Sequence, residues 1–374
     1  MTVSPAPSPG LKAQLLEMHQ LARQFGRPVK YMEVCGTHTM AAFRSGLRTL
    51  LPESISLLSG PGCPVCVTPA DFIDQAVALA RLQDVVIVTF GDLLRVPGSR
   101  SSLERERAGG AEVRVAYSPL DALAWAAQEP QRRFVFLAIG FETTIPAIAV
   151  SVLQAAERRL DNVSFLCALK LMPPALAALL RSPALKLDGL LCPGHVSVMI
   201  GPEPYAFLAK SHHLPCVVAG FEPGDMVAGV LMLLRQSCGH RAEVEIQYHR
   251  SVKPGGLLRA RQLWESVFEP SPSRWRGLGW IPESGLKLRP EFSAWDADRL
   301  YPETQVPAAV ENPACRCGEV LQALVLPGQC PLFASGCTPE EPQGPCMVSS
   351  EGTCAAYYRY GRMASGASAA PERA

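Results

Sequence analysis

The feature that most constrains the fold of this 374-residue chain is a repeated unit. In each unit an apolar, β-rich run ends in a turn rich in Gly, Pro and Thr, and a helical segment follows. Continuous apolar strands that alternate with helices are typical of parallel sheets covered on both faces. The sequence therefore predicts an α/β fold with doubly wound, Rossmann-like sheets. Nine runs are predicted to be strands: 29–34, 55–58, 85–90, 113–117, 134–139, 165–169, 187–191, 217–219 and 244–248.

The order of these runs along the chain suggests two α/β domains. A chain of this length is expected to form two or three domains, and we place the boundary near residues 119–130, between the fourth and fifth runs. Changes in composition along the chain mark the boundaries of the parts outside these two domains. The predicted parts are an N-terminal helix (1–27), a first α/β domain (28–120), a second α/β domain (121–252), a connecting segment rich in Pro and Trp (253–312), a Cys-rich module (313–361) and a disordered tail (362–374).

Composition limits the environment and the partners of the chain. Hydrophobic residues make up 48% and charged residues 18%, which excludes a disordered protein. The formal net charge of +1 creates no field that would attract nucleic acid or an anionic membrane. No apolar stretch reaches the roughly 18 residues of a membrane helix, and the initial MTVSPAPSPG lacks the pattern of a secretory signal. We therefore expect a cytoplasmic protein, in which clustered cysteines more often bind metal or perform redox chemistry than form structural disulfides.

Three of the 13 cysteines follow two early strands. Cys35 begins the turn CGTHT, and Cys63 and Cys66 form the CPVC of SGPGCPVCVTP one βα unit later. Adjacent parallel strands lie about 4.8 Å apart, and their carboxyl ends meet at the edge of the sheet where ligands bind. The three thiolates could therefore converge there on one soft metal ion. A thioredoxin-like redox pair is the alternative reading of CPVC, but it leaves Cys35 unexplained.

Six further cysteines crowd the segment 315–354, with the spacing C-x-C-x12-C-x6-C-x8-C-x7-C. Such a segment cannot bury enough apolar surface to fold without a cross-link. Zinc sites are usually marked by paired C-x2–4-C knuckles, which are absent here. An iron–sulfur cubane takes four thiolates from widely spaced positions. The spacing favours an iron–sulfur cluster over a zinc site, and disulfides are the third interpretation. A cluster with four thiolate ligands would leave two of the six cysteines free for another role.

Three more polar residues lie in turns at strand ends. His38 in CGTHT and His195 in CPGHVS are candidates for orienting metal ligands or transferring protons, although a lone histidine is usually structural. Glu142 in GFETTIP interrupts an apolar run, and a functional role is favoured because burying an unpaired carboxylate is costly. The remaining cysteines are predicted to be core residues: Cys167, Cys192, Cys216 and Cys238.

Five motifs, taken together and in order, resemble the HypD family of NiFe-hydrogenase maturation factors. They are CGTHT (35–39), GPGCPVCVTP (60–69), GFETTIP (140–146), PGHVSVMIG (193–201) and the Cys-rich pattern within 315–360. The resemblance extends from about residue 10 to residue 361. It implies a cytosolic scaffold on which the Fe(CN)2CO group of the hydrogenase active site is assembled, in complex with a HypC-type chaperone and with cyanide delivered by a HypE-type donor.

Transferred position by position, the resemblance also implies roles for the cysteines. Iron would be held by Cys35, Cys63 and Cys66. A 4Fe-4S cluster would be bound by Cys315, Cys330, Cys337 and Cys354, and Cys317 and Cys346 would form a redox pair beside it. An asymmetric complex with a small partner favours a monomer or a heterodimer. The alternative function is a stand-alone, cluster-dependent thiol–disulfide oxidoreductase.

Overall fold

The computed structural model describes residues 9–307, 309 and 311–361 of the chain. It confirms the α/β class and contains a strand at each of the nine predicted runs. The segment 362–374, for which we predicted disorder, lies outside the described residues. The strands are β1 (Val29–Glu33), β2 (Ile55–Ser59), β3 (Val85–Thr89), β4 (Glu112–Val115), β5 (Arg133–Gly140), β6 (Val163–Lys170), β7 (Gly189–Pro193), β8 (Cys216–Ala219), β9 (Val244–Ile246), β10 (Phe268–Trp275) and β11 (Gly279–Leu288).

Helices connect and cover the strands. The predicted N-terminal helix ends at Phe25, and the next residue, Gly26, adopts the left-handed conformation that commonly terminates a helix. The helices are α1 (Pro9–Phe25), α2 (Gly36–Arg44), α3 (Leu47–Leu50), α4 (Pro64–Val67), α5 (Ala70–Ala80), α6 (Leu103–Ala108), α7 (Pro119–Gln128), α8 (Ile145–Glu157), α9 (Met172–Leu179), α10 (Gly194–Ile200), α11 (Ala206–His212), α12 (Pro223–Cys238), α13 (Leu258–Val267), α14 (Ala297–Leu300), α15 (Cys317–Leu321), α16 (Pro345–Val348) and α17 (Thr353–Ala356). None of the helices in the described ranges combines the length and apolar composition needed to cross a lipid bilayer.

The strands form two sheets whose membership differs from the predicted domain division. The first sheet has the order β2-β1-β7-β8-β9 and is parallel throughout. The second has the order β10-β11-β6-β5-β3-β4, in which β6, β5, β3 and β4 are parallel. The chain thus builds two of the five strands of the first sheet and crosses to build four strands of the second. It then returns to complete the first sheet with β7, β8 and β9, and crosses again to add β10 and β11 to the second. A division at residues 28–120 and 121–252 does not describe these sheets, because β1 pairs with β7, which begins at Gly189, and β2 joins the same sheet through β1.

The stretch 119–130, proposed as a domain boundary, is largely an ordinary helix of the second sheet. Ser118 caps α7 in a capping box with Asp121, and Pro119 occupies the first turn, where its missing N–H costs nothing. The helix packs against β5 and α8. Pro119 therefore marks the start of a helix of the second sheet, and the predicted strands on either side of this stretch, β4 and β5, belong to the same sheet.

The connecting segment 253–312 contributes more structure than predicted. It contains α13 and the antiparallel hairpin β10–β11, which extends the second sheet by pairing β11 with β6. Pro270 and Pro272 gave this stretch the composition of a loop. An edge strand tolerates proline because one side of its backbone has no strand to bond, and β10 is the edge of this sheet.

The Cys-rich module (313–361) has little regular structure, as predicted, and it packs onto the turns of the first sheet. Helix α16 contacts α4, and α17 contacts α2. Asp92, which follows β3, accepts hydrogen bonds from the hydroxyls of Ser349 and Ser350 and from the backbone N–H of Ser350. The module therefore lies beside the carboxyl ends of strands from both sheets.

Candidate functional site

The turns that carry Cys35 and the CPVC motif touch each other. Strands β1 and β2 are parallel neighbours with Glu33 opposite Ser59, so both turns leave the same edge of the first sheet. The backbone N–H of Gly36 donates to the carbonyl of Gly62 at 3.2 Å. A Cβ on Gly62 would overlap the Val34 carbonyl and approach the Cα of Cys35 to 2.5 Å. Glycine at position 62 therefore allows the two turns to meet. The expectation that both turns leave the same edge of the first sheet is confirmed, and we call this edge, at the carboxyl ends of β1 and β2, the rim.

Cys63 and Cys66 form a disulfide in this structure. Cys63 caps the short helix α4, its sulfur accepts the backbone N–H of Cys66 at 3.1 Å, and the two Cα atoms are 5.2 Å apart. Both side chains are buried. A disulfide offers no thiolate, and the predicted binding of metal by these two residues therefore requires the reduced pair.

Cys35 is buried beneath Glu351 of the Cys-rich module. The Thr37 hydroxyl donates to the Glu351 carboxylate at 2.6 Å, and Gly36 leaves room for the Glu351 backbone and Cβ. Burial and the charge of Glu351 raise the pKa of Cys35 to about 11, although hydrogen bonds from Thr37 and the His38 backbone oppose the rise. An isolated Cys35 thiol therefore keeps its proton near neutral pH. Burial and the negative charge of Glu351 disfavour the thiolate form, and a cationic metal that displaced the proton would stabilise that form.

His38 and His195 stack on opposite sides of Phe221, a residue that the sequence prediction did not single out. Their ring centroids lie 4.5 and 3.8 Å from that of Phe221. The three residues follow the neighbouring strands β1, β7 and β8, which explains why they meet. Phe221 belongs to GFEPGD, a turn that repeats the Gly-Phe-Glu of GFETT, and this repetition was the available sequence signal.

The hydrogen bonds of His38 define its tautomer. Its Nε2 lies 3.1 Å from the Ala219 carbonyl and 3.0 Å from the Gly220 carbonyl, so Nε2 carries the hydrogen. Nδ1 has no hydrogen-bond partner among the described residues. Burial lowers the pKa of His38 to about 4. His38 thus presents a buried, unprotonated nitrogen, while His195 is solvent-exposed.

Glu142 is buried at the end of β5, against which the CPVC helix α4 packs. One carboxylate oxygen, Oε1, accepts the backbone N–H of Met172 at 2.8 Å. The other oxygen has no hydrogen-bond partner in the described part of the chain. Burial raises the pKa of Glu142 to about 7, so a substantial fraction of the side chain is a neutral carboxylic acid at neutral pH.

The six C-terminal cysteines line one small apolar cavity, together with Val320, Phe333, Gly344 and Met347. Cys317 interacts directly with Cys315 and Cys346, and Cys346 with Cys354. Gly344 packs so closely that a Cβ would lie 3.1 Å from the Cys315 sulfur. Among the described residues, no group of three Cys, His, Asp or Glu side chains is close enough together to hold a metal ion. The thiols are therefore gathered without being fixed in a ligand geometry.

Arg276, absent from the sequence prediction, links the CPVC turn to the Cys-rich module. Its backbone N–H donates to the Val67 carbonyl at 2.8 Å, and its guanidinium pairs at 2.7 Å with Glu311, which lies just before the module. The guanidinium is buried. The pKa of Cys317 is lowered by hydrogen bonds with Cys315 and Cys346 and by the positive charge of Arg276.

Of the cysteines predicted to be core residues, Cys192 and Cys216 are fully buried, and Cys167 and Cys238 are partly buried.

Comparison with known proteins identifies the family. Residues 11–361 match the HypD model, described as "Hydrogenase formation hypA family". The chain belongs to the HypD family. It is 46% identical over 344 residues to hydrogenase maturation factor HypD2 of Bradyrhizobium diazoefficiens, with 90% of each chain covered. It is 46% identical over 336 residues to HypD of Escherichia coli, covering 89% of this chain and 90% of the relative. It is 45% identical over 362 residues to HypD of Cupriavidus necator, covering 94% and 95%.

The HypD match includes both groups of cysteines and every other residue of the candidate site. It begins within α1 and ends with the last described residue of the Cys-rich module. The resemblance stated from the five motifs is therefore confirmed at the level of the family. In this HypD-family chain the motifs lie on adjacent elements, because four of them follow β1, β2, β5 and β7 and the fifth folds back onto them.

Proposed function

We propose that this chain acts in hydrogenase maturation as the scaffold on which the Fe(CN)2CO group is assembled. Cys35, Cys63 and Cys66 would hold the iron. The observation that carries this proposal is the direct contact between the Cys35 turn and the CPVC turn at one sheet edge, made possible by Gly62. A low-spin ferrous ion with cyanide and carbonyl ligands favours soft, electron-rich thiolates, which these residues supply.

Iron binding by the CPVC pair requires that the Cys63–Cys66 disulfide first be reduced. Cys317 and Cys346 are suited to that task because they contact each other and because α16, which contains Cys346, packs against α4. One thiolate of this pair would attack the Cys63–Cys66 bond, and the second would resolve the mixed disulfide. The CPVC pair would leave as two thiols, and Cys317 and Cys346 would be left oxidised to a disulfide.

The Cys-rich module is proposed to bind a 4Fe-4S cluster. Its six thiols line a single cavity, and a purely thiol donor set is the one that such clusters use. Cys315, Cys330, Cys337 and Cys354 would hold the cluster, and Cys317 and Cys346 would remain as the redox pair. When bound, the cluster would supply single electrons. A chain that depends on so many reduced thiols fits the reducing cytoplasm.

The partners are proposed to be a HypC-type chaperone and a HypE-type cyanide donor. A thiolate of the chaperone would complete the coordination of the iron and later carry the group away. At the same rim, the exposed His195 and the buried His38 both stack on Phe221. The site therefore has a solvent-facing side at which a partner could dock. The chain itself would be a monomer or one half of a heterodimer.

Infrared spectroscopy of the chain purified together with its small chaperone tests the scaffold. We expect cyanide and carbonyl stretching bands in the wild type and their complete loss in Cys35→Ala, with the visible absorbance of the C-terminal cluster retained. Cys238→Ala is the matched control, because this cysteine is partly buried beside Leu21 and far from the rim. Bands of normal intensity in Cys35→Ala would refute the scaffold.

The disulfide between Cys63 and Cys66 favours a second candidate, a stand-alone thiol–disulfide oxidoreductase that uses the cluster and CPVC. Such an enzyme would reduce disulfide substrates without a partner and would tolerate Cys35→Ala. The scaffold needs Cys35 and shows no such turnover. Assays of disulfide reduction by the isolated chain and by Cys35→Ala therefore separate the two functions.

A further inference from the structure

The turn of the β10–β11 hairpin lies between the CPVC motif and the Cys-rich module. Strand β10 ends at Trp275 and β11 begins at Gly279, so Arg276 and Gly277 are the first two residues of the turn. Arg276 bonds the end of the CPVC helix α4, and Gly277 packs against the start of α15 in the module. We call these two residues the hairpin tip. The tip therefore touches both elements that exchange electrons in the proposed function.

On one side, the hairpin tip holds the carboxyl end of α4. The backbone N–H of Arg276 donates to the Val67 carbonyl at 2.8 Å, and its Nε donates to the Thr68 carbonyl at 3.3 Å. Helix ends leave such carbonyls without partners within the helix, and Arg276 supplies partners from another element. Val67 directly follows Cys66 in the chain. The bonds of Arg276 therefore fix the position of the CPVC disulfide relative to the hairpin.

On the other side, the hairpin tip holds the start of α15. Gly277 has a φ of +80°, and a Cβ at this position would lie 2.4 Å from the Gly318 carbonyl oxygen. The side-chain amide of Gln322 donates to the carbonyls of both glycines, at 2.7 and 3.2 Å, which locks this contact. Gly318 directly follows Cys317. Neighbours of Cys66 and of Cys317 thus contact two consecutive residues of one tight turn.

The side chain of Arg276 costs more to bury than a purely structural link requires. Only 5% of it is exposed, and Nη1 pairs with Glu311 at 2.7 Å. Its Nη2 is buried and has no hydrogen-bond partner among the described residues. A buried charge with an unbonded donor is often less stable than an apolar side chain of similar size. Stability of the fold alone therefore does not account for arginine at this position.

We propose that Arg276 and Gly277 are positioning residues for the exchange between the Cys317/Cys346 pair and the Cys63–Cys66 disulfide. This inference rests on the reduction step of the proposed function. In that step a thiolate of the module pair bonds to one CPVC sulfur while the Cys63–Cys66 bond breaks. The second thiol of the module pair then displaces the CPVC sulfur, so that two electrons and two protons pass to the CPVC pair. The hairpin tip holds the two pairs at the distance and angle that this attack requires.

A positioning role affects the rate of exchange and leaves its equilibrium unchanged. Misplacing reacting groups by about 1 Å slows a reaction by up to about 100-fold. The final distribution of the disulfide depends on the stabilities of the two pairs themselves, which a substitution in the hairpin tip does not alter chemically. The rate and the final distribution are therefore the two quantities to measure.

The experiment uses the complete, anaerobically purified chain with its cluster. The free thiols are reduced, and one equivalent of diamide, a two-electron oxidant of thiols, then forms one disulfide per chain. Alkylation at timed intervals and peptide mass spectrometry show which pair carries the disulfide. We expect Gly277→Ala to reach the wild-type distribution about 10- to 100-fold more slowly than the wild type.

Gly279→Ala is the matched control for Gly277→Ala. Gly279 has nearly the same left-handed φ, +74°, but a Cβ there would meet nothing within 4 Å. It should therefore exchange at the wild-type rate. Wild-type exchange in Gly277→Ala, or equal slowing in Gly279→Ala, would overturn the inference and leave the reduction step intact. A wild type in which the disulfide never moves between the pairs would overturn the reduction step and the inference together.

Should Gly277→Ala fail to fold, Arg276→Gln decides. Glutamine keeps the backbone bond to Val67 and loses the bonds of the guanidinium to Thr68 and Glu311. Arg274→Gln is its control, because Arg274 lies on the same strand and pairs with Asp71 at 2.6 Å, away from the hairpin tip. Slow exchange in Arg276→Gln alone supports the inference, and equal exchange rates in the two variants would refute it.

Discussion

At the scale of single residues, the sequence identified side chains whose local chemistry is unusual. Cys35, His38 and Glu142 could be found because each stands in a turn after an apolar strand, where its residue type is costly or reactive. Glu351 could not be found in this way. It contacts Thr37 across 314 residues, and nothing in the local pattern of the Cys-rich module indicates which surface that module covers.

The buried His38 gives a prediction at this scale. Burial lowers its pKa from 6.5 to about 4, so the folded chain binds a proton less readily than the unfolded chain. Its stabilising contribution is fully present above pH 6.5 and is lost as the pH falls through this range towards 4. The shift corresponds to about 3 kcal/mol for a fully buried group. We expect His38→Gln to remove this part of the acid sensitivity, measured by urea unfolding between these pH values.

Glu142 titrates in the opposite direction and has to be separated from His38. Its folded pKa of about 7 lies above the ordinary 4.5, so the folded chain gains stability from it as the pH falls between those values. The comparison of wild type with His38→Gln cancels this common contribution. The exposed His240→Gln serves as the control. Parallel stability profiles of wild type and His38→Gln from pH 6.5 to 4 would contradict the buried, neutral state of His38.

At the scale of elements, the strands were predictable and their partners were not. Parallel strands such as β3, β7 and β8 are buried on both faces along their whole length, and this leaves a continuous apolar run in the sequence. Such runs are interchangeable, so their order along the chain does not reveal which sheet each one joins. The hairpin β10–β11 was missed for a different reason. Its prolines are typical of loops, and only its position at the sheet edge makes them acceptable.

The contact between the two cysteine turns gives a prediction at the element scale. Gly62→Ala places a Cβ against the Val34 carbonyl and the Cys35 backbone, neither of which can move without displacing β1. We expect a loss of about 1–3 kcal/mol in the free energy of unfolding, together with weakened cyanide bands in the chaperone complex. Gly224→Ala in the first turn of α12 is the control, since its Cβ meets nothing within 4 Å. Equal stability of Gly62→Ala and wild type would show that the turns are not in close contact.

At the scale of the whole molecule, the chain crosses from the first sheet to the second and back, which brings distant motifs together. The Cys-rich module then joins both sheets, through Thr37 and Glu351 at the first sheet and through Asp92 and the serines at 349 and 350 at the second. The sequence predicted that the rim would contain the first three cysteines. It did not predict that the module would pack against that rim, because those contacts depend on the finished pairing of the sheets.

The central claim is that Cys35 and the reduced CPVC pair together hold one iron ion that is separate from the C-terminal cluster. Mössbauer spectroscopy of the iron-labelled chaperone complex tests it most directly, because a low-spin ferrous ion is distinguishable from cluster iron. We expect a low-spin ferrous doublet in the wild type and its loss in Cys35→Ala, with the cluster signal unchanged. A doublet of full intensity in Cys35→Ala, or the absence of one in the wild type, would contradict the claim.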